Sequence, residues 1–262
     1  MTDGLLNVLL GLLASAISAA LGWLGQSLRR RRRLERARAF LGLPAGSECL
    51  IVVNRSIGTG AHPRTVTRRD AFALMELAAL VKECGAHADL VAHDAAPRGL
   101  GARTELCLGG PVSNERMAAH VAWGLPGVSI SSGLARPDNT ITVGGRSYAA
   151  DPEAGEYVLL ARLATPEDGR PVFLVSGQTG IANHAGVRHL VNHHRRLAGR
   201  YGTDGTFALL LRVVSPAAYG PDVVEEVADV TAAALERAPA PPGAPVPAAA
   251  PPARTPAPTA TA

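Results

Sequence analysis

Three short loops bring glycine together with hydroxyl, amide or guanidinium side chains, each directly after an apolar run. They are Asn54–Val66 (NRSIGTGAHPRTV), Gly109–Asn114 (GGPVSN) and Ser176–Gly180 (SGQTG). In the first, Gly58, Thr59 and Gly60 supply a flexible backbone, and Arg55 and Arg64 supply positive charge. In the second, Gly109 and Gly110 lead to Ser113 and Asn114; in the third, Gly177 leads to Thr179 and Gly180. Glycine admits a ligand close to the backbone, and a helix that begins just beyond points unpaired N–H groups at the same spot. Such a loop suits a phosphate or a carboxylate. The same residues also serve where a strand turns tightly into a helix and binds nothing, so both readings stand. Neither the Walker A loop nor the six-residue dinucleotide fingerprint is present, and the only lysine, Lys82, follows no glycine loop.

Other constellations carry less. His189 and His193 stand four apart on one helical face, with His194 adjacent and His184 earlier, but no acidic residue completes a metal motif. Arg188, Arg195 and Arg196 would repel a cation there, so a solvated polar face is expected and no metal. Ser176 lacks the G-x-S-x-G elbow of a hydrolase. Glu153, Glu156, Glu167 and Asp168 read as turn residues, and Trp123 as packing at the end of a core helix. No catalytic residue and no cofactor are assigned.

The elements that must position the loops alternate along the chain. Cys49–Val53 (CLIVV) is continuously apolar, as in a strand buried on both faces. Thr67 begins T-R-R-D, a capping-box-like start with Asp70 in place of Glu, and predicts a helix over Arg68–Cys84 ending at Gly85. Strands follow at Ala88–His93, Glu105–Leu108 and Val128–Ser131, with a helix from Ser113 or Asn114 to about Trp123. Thr140–Val143 and Arg146–Ala149 around Gly144-Gly145 read as a hairpin. Tyr157–Leu163, Val172–Val175 and Thr206–Val214 read as strands, with a long helix from the third loop to about Arg200 and a last helix over Asp222–Arg237. Alternation of this kind predicts a Rossmann-like three-layer α/β sandwich, its sheet mostly parallel with the hairpin as an antiparallel edge.

The N-terminus says where such a domain works. Gly4–Leu28 holds no charged residue, and Arg29–Arg33 follow without a break. At about 1.5 Å per residue a helix over that stretch covers a hydrocarbon core of roughly 30 Å. A cleaved signal, a helix lying in the interface and a spanning helix compete. Charge after rather than before the apolar run disfavours the signal, and a stripe of Asn7, Gly11, Ser15, Ser18, Gly22 and Gln26 is too weakly polar for the interface. A single-pass inner-membrane protein with its C-terminal domain in the cytoplasm is therefore expected, held by the arginines. The small stripe offers a face for homo-oligomerisation.

Residues 1–28 then form the anchor, 29–46 a basic juxtamembrane helix and linker, 47–238 the α/β domain, and 239–262 a disordered Pro/Ala-rich tail. The 262 residues carry a net charge of +4, but Arg29–Arg38 alone holds seven arginines against one glutamate. The basic balance is thus a lipid-facing cluster, and no nucleic-acid partner is expected. Cys49, Cys84 and Cys107 read as buried free thiols of a reducing compartment.

The run ELCLGGPVSNERM resembles a G-G-P-x-x-N element of Rossmann-like bacterial proteins and of domains in some surface-layer proteins. With VFLVSGQTGIANHAG it is similar to sensor-like domains of uncharacterised actinobacterial membrane proteins, within the nucleotide-binding superfamily that includes the LOG phosphoribohydrolases. Gly109 and Gly110 match the paired glycines of the LOG signature P-G-G-x-G-T-x-x-E; its Gly-Thr is absent and Glu115 stands at another offset. The resemblance implies binding of a nucleotide-derived ligand more than it implies hydrolysis. The expectation is a membrane-anchored sensor of a small anionic ligand. The alternatives are a LOG-like nucleotide-processing enzyme and a membrane scaffold without ligand.

Overall fold

The computed structural model describes residues 2–54, 65–131, 139–151, 153, 155–166 and 169–237, without the side chains of 2–9, 11 and 14. Most of the first glycine loop, with Arg55, Gly58, Thr59 and Gly60, and the tail 239–262 lie outside the described residues.

The chain begins with one unbroken helix, α1 (Thr2–Leu41). Then come β1 (Glu48–Val53), α2 (Arg68–Glu83), β2 (His87–Ala92), β3 (Thr104–Leu108), α3 (Glu115–Gly124) and β4 (Val128–Ser131). They are followed by β5 (Thr140–Val143), β6 (Arg146–Ala149), β7 (Glu156–Leu163), β8 (Val172–Gly177) and α4 (Gly180–Tyr201). The chain closes with β9 (Phe207–Val213), α5 (Pro216–Tyr219), β10 (Val224–Asp229) and α6 (Thr231–Leu235).

The fold is mixed α/β: a mostly parallel seven-stranded sheet, ordered β10-β9-β7-β8-β3-β1-β2, beside a small antiparallel one. β2, β1, β3 and β8 run parallel, while β7 is antiparallel to both β8 and β9, and β10 to β9. Along β3, buried throughout, and β8, buried up to Ser176, alternate residues feed opposite faces. Ile51, Leu77, Phe173, Leu190 and Phe207 pack under α2, α4 and the end of α1; Val52, Met117, Ile141, Leu174 and Leu210 pack under α3, the small sheet and α6.

The hairpin forms around Gly144 and Gly145, whose φ of +56° and +82° suit a two-residue turn. It does not extend the main sheet. β4 pairs with it instead, and Ile141 and Val143 turn inward, so it covers a face of the main sheet rather than adding the expected edge. The second correction is the last helix. Val224, Glu226 and Ala228 alternate inward along β9, and only Thr231–Leu235 are helical. The run VVEEVADV offers apolar residues at strand and helix spacings alike, and a free sheet edge decides in favour of the strand.

Side chains of the described N-terminal helix up to Arg33 do not pack into the domain; Leu12, Leu21 and Trp23 are at least 64% exposed. Further on the helix becomes core. Ala37, Phe40, Leu41 and Leu43 are buried, and the Phe40 ring stacks on Phe207 and meets Phe173 edge-on. The core therefore reaches back into the stretch read as juxtamembrane. Among the described residues no helix is long and apolar enough to cross a membrane; the side chains of 2–9, 11 and 14, which open the apolar run, lie outside that set.

Candidate functional site

β1, β3 and β8 are neighbours, so all three glycine loops leave the same end of the sheet side by side. β1 leads to α2 on one face and β3 to α3 on the other. Where successive connections part in this way, a crevice opens beyond the strand ends, the usual ligand position in open α/β sheets.

The second loop builds one side of it. Gly109 has φ +106°, and a Cβ there would stand 2.9 Å from the Asn54 side chain, so a larger residue would push β1 and β3 apart. Asn54 Nδ2 donates to Ser113 Oγ (3.4 Å), which bridges the first and second loops. Its Oδ1 is buried with no partner among the described residues. Ser113 Oγ also donates to the Gly110 carbonyl (3.2 Å). Asn114, as expected, caps α3: its Oδ1 accepts from Met117 N (3.0 Å) and its Nδ2 donates to the Leu108 carbonyl (2.9 Å). Its amide is thus occupied at both ends within a closed core position.

His93, just past β2, was missed by the sequence reading. Its Nδ1 accepts from the Glu115 backbone N–H (3.4 Å), which leaves the proton of the neutral ring on Nε2. Asn54, His93, Gly109, Gly110, Ser113 and the start of α3 so come together beyond the ends of β1 and β3. Only the strand-end position of His93 offered a signal.

The third loop is closed by the chain itself. Thr67 and Asp70 form the expected cap, Asp70 N donating to Thr67 Oγ1 (3.1 Å). The Asp70 carboxylate is also buried against α4, accepting from Asn183 Nδ2 (3.0 Å), while Asn183 Oδ1 accepts from Gly177 N (2.8 Å). An internal carboxylate therefore sits where the starts of α2 and α4 converge and supplies the anion that both helix dipoles favour. Thr179 caps α4 and donates to Glu156, which is buried at the head of β7 rather than solvating a turn. Gln178 ties Tyr157 N to the carbonyls of Asn139 and Tyr148, joining the two sheets. A Cβ on Gly177 would lie 2.5 Å from Asn183 N and 2.6 Å from the Ala182 carbonyl carbon. Gly177→Ala is expected to cost about 2–3 kcal/mol by forcing α4 off the strand, read by urea unfolding; unchanged stability would show that α4 has room to shift. Gly180 packs on Thr67 and Arg69 and is likewise structural in its contacts.

Glu105, Arg116 and His120 form a cluster that the sequence reading also missed. Glu105 Oε1 lies 2.7 Å from His120 Nε2, and Arg116 binds the same carboxylate through Nε (3.0 Å) and Nη2 (2.8 Å). Burial alone would raise the Glu105 carboxyl, but hydrogen bonds and charge from His120 and Arg116 outweigh it and hold it below the usual range. Trp123, expected in the core, is half exposed over a shallow cavity beside them. His189 and His193 do share a face of α4, His193 Nδ1 lying 3.0 Å from the His189 carbonyl oxygen, but the expected solvated face is not what forms: His184, His189 and His194 are buried. Burial, then His193 and Arg196, pull His189 down to about 4. No group of three metal-binding side chains occurs among the described residues. All three cysteines are buried free thiols.

The chain matches no protein-family model, no curated protein and no solved structure.

Proposed function

We propose that this is a membrane-anchored sensor whose Rossmann-like domain binds a small anionic, nucleotide-derived ligand in the β1–β3 crevice. The observation that carries it is the junction of the β1 and β3 ends: Gly109 packs on Asn54 beside the start of α3, and Asn54 Oδ1 is buried with no partner among the described residues. Ligand phosphate would lie at the α3 N-terminus, and a donor on the ligand would satisfy Asn54. Binding orders the second loop, and α1 carries the change toward the membrane. The apolar run of α1 inserts into the inner membrane with the domain on the cytoplasmic side. Exposed Leu10, Leu12, Leu13, Ile17, Leu21 and Leu24 support this, since soluble surfaces rarely expose so much apolar helix.

The test is a thermal-shift screen of the full chain in neutral detergent with nucleoside mono- and triphosphates and inorganic phosphate. A nucleotide is expected to raise Tm, by about 2.7 kcal/mol of added stability at a hundredfold excess over Kd. Ser113→Asp, which puts a carboxylate at the α3 start, should weaken binding about tenfold. A panel without any shift refutes the ligand. Conversion of the nucleotide in the same samples would replace the sensor by an enzyme. The anchor fails separately, if alkaline carbonate strips the chain from membranes or a C-terminal reporter is exported.

A further inference from the structure

A cleft of about 800 Å³ opens where α1 leaves the domain, between α1 and the ends of α2 and α4. One part of its lining is cationic: Arg29, Arg30 and Arg33 from α1 and Arg195 from α4. Among the described residues the three α1 guanidinium groups have no carboxylate partner, and Arg195 reaches only Glu83, at 3.8 Å. The other part is apolar, with Leu21, Leu34 and Leu80. Gly22 and Gly25 face the space between, and a Cβ built on either meets nothing within 4 Å. The Arg38 Nε bond to the Cys84 carbonyl (2.7 Å) holds α1 over the end of α2, so the cleft is fixed by the fold.

We infer that this cleft is a binding site for one anionic phospholipid, its phosphate on the four arginines and an acyl chain along Leu21 and the two glycines. This rests on the reading that α1 meets lipid, and deepens it from diffuse attraction to a defined site. Charge complementarity selects an anion, because a single carboxylate faces four guanidinium groups. The apolar part selects a lipid over free phosphate, which has nothing to place along Leu21 and the two glycines. Size agrees, since small-molecule sites typically enclose about 300–1,000 Å³. The stripe read from the sequence as a self-association face thus lines a groove against the protein's own domain over Gly22–Gln26.

The test is native mass spectrometry of the delipidated full-length chain in neutral detergent, with phosphatidylglycerol, phosphatidylcholine or inorganic phosphate at equal concentration. One phosphatidylglycerol per chain is expected, with phosphatidylcholine much weaker and phosphate not retained. Each arginine near an anionic lipid is worth about fivefold, so Arg30→Gln with Arg33→Gln should weaken the adduct about 25-fold. Gly25→Leu fills the cleft while leaving every charge in place, and should weaken it severalfold. Equal binding of both lipids, phosphate bound as well as lipid, a chain dimer without lipid, or wild-type affinity in both variants overturns the proposal. Carbonate extraction from cells separates the readings. Resistant chain without a lipid adduct removes the site and leaves the anchor; extractable chain with the adduct removes the anchor and leaves the site.

Discussion

Arg162→Ala is expected to lower the unfolding free energy by about 3–5 kcal/mol, the combined cost of buried carbonyls left without a donor and of the void that a large side chain leaves. Arg162 lies on β7, 3% exposed, with no carboxylate in bonding contact among the described residues. It donates instead to three carbonyls: Phe40 (3.2 Å from Nε), Gly205 (2.7 Å from Nη1) and Thr203. Phe40 is in the last turn of α1, and Thr203 and Gly205 lie just beyond α4, so the cation caps the negative ends of two helices. The guanidinium also sits over the rings of Phe40 and Phe173, at 5.8 and 5.9 Å. Burial lowers its pKa, yet an arginine stays charged. Alanine leaves three carbonyls short and a void beside two rings. Lysine keeps the charge but not the planar fork and should recover only part. Amide exchange over residues 36–43 should accelerate in both, because Arg162 pins the end of α1. A loss under about 1 kcal/mol, or unchanged exchange, would show that the aromatic contacts alone hold that helix.

That attachment was the part of the fold hardest to read from sequence. Phe40 stands among arginines in a segment with the composition of a surface helix; only its partners on β8 and β9 make it core. By contrast β1, β3, β8 and β9 were legible, because strands buried on both faces read as nearly continuous apolar runs. The Thr67–Asp70 cap was legible too, since it is made within four residues. Its second role, neutralising α4 across 113 residues of chain, had no local signature. Strand direction had none either: nothing within β7 tells it to run against β8. In the site, the second loop was legible as glycine, serine and asparagine at a strand end, while His93 joined it only once β2 was placed beside β1. The third loop shows the limit of motif reading, for its threonine serves Glu156, Gly177 serves Asn183, and Gly180 packs on Thr67 and Arg69.

Glu105→Ala is expected to be as costly, about 3–5 kcal/mol, because it leaves Arg116 and His120 facing a desolvated gap. Glu105 is 3% exposed at the start of β3, in an otherwise apolar strand, and accepts from both residues of α3. It is the charged link between that helix and the sheet, one strand position from Leu106 of the opposite core. Its carboxyl is held below the ordinary range, so the folded state releases this proton more readily than the unfolded one. The sign follows: the stabilisation is complete above the unfolded value of about 4.3 and disappears as pH falls through the lower folded value. Wild-type Tm should therefore drop steeply in acid below about pH 4. Glu105→Gln, which keeps the shape and loses the charge, should start lower at neutral pH and lose less on acidification, so that the two curves converge. Parallel curves would assign the acid sensitivity to other carboxylates, and a neutral-pH stability equal to wild type would mean that Arg116 finds enough in the Gly99 carbonyl, which it already meets at 2.6 Å.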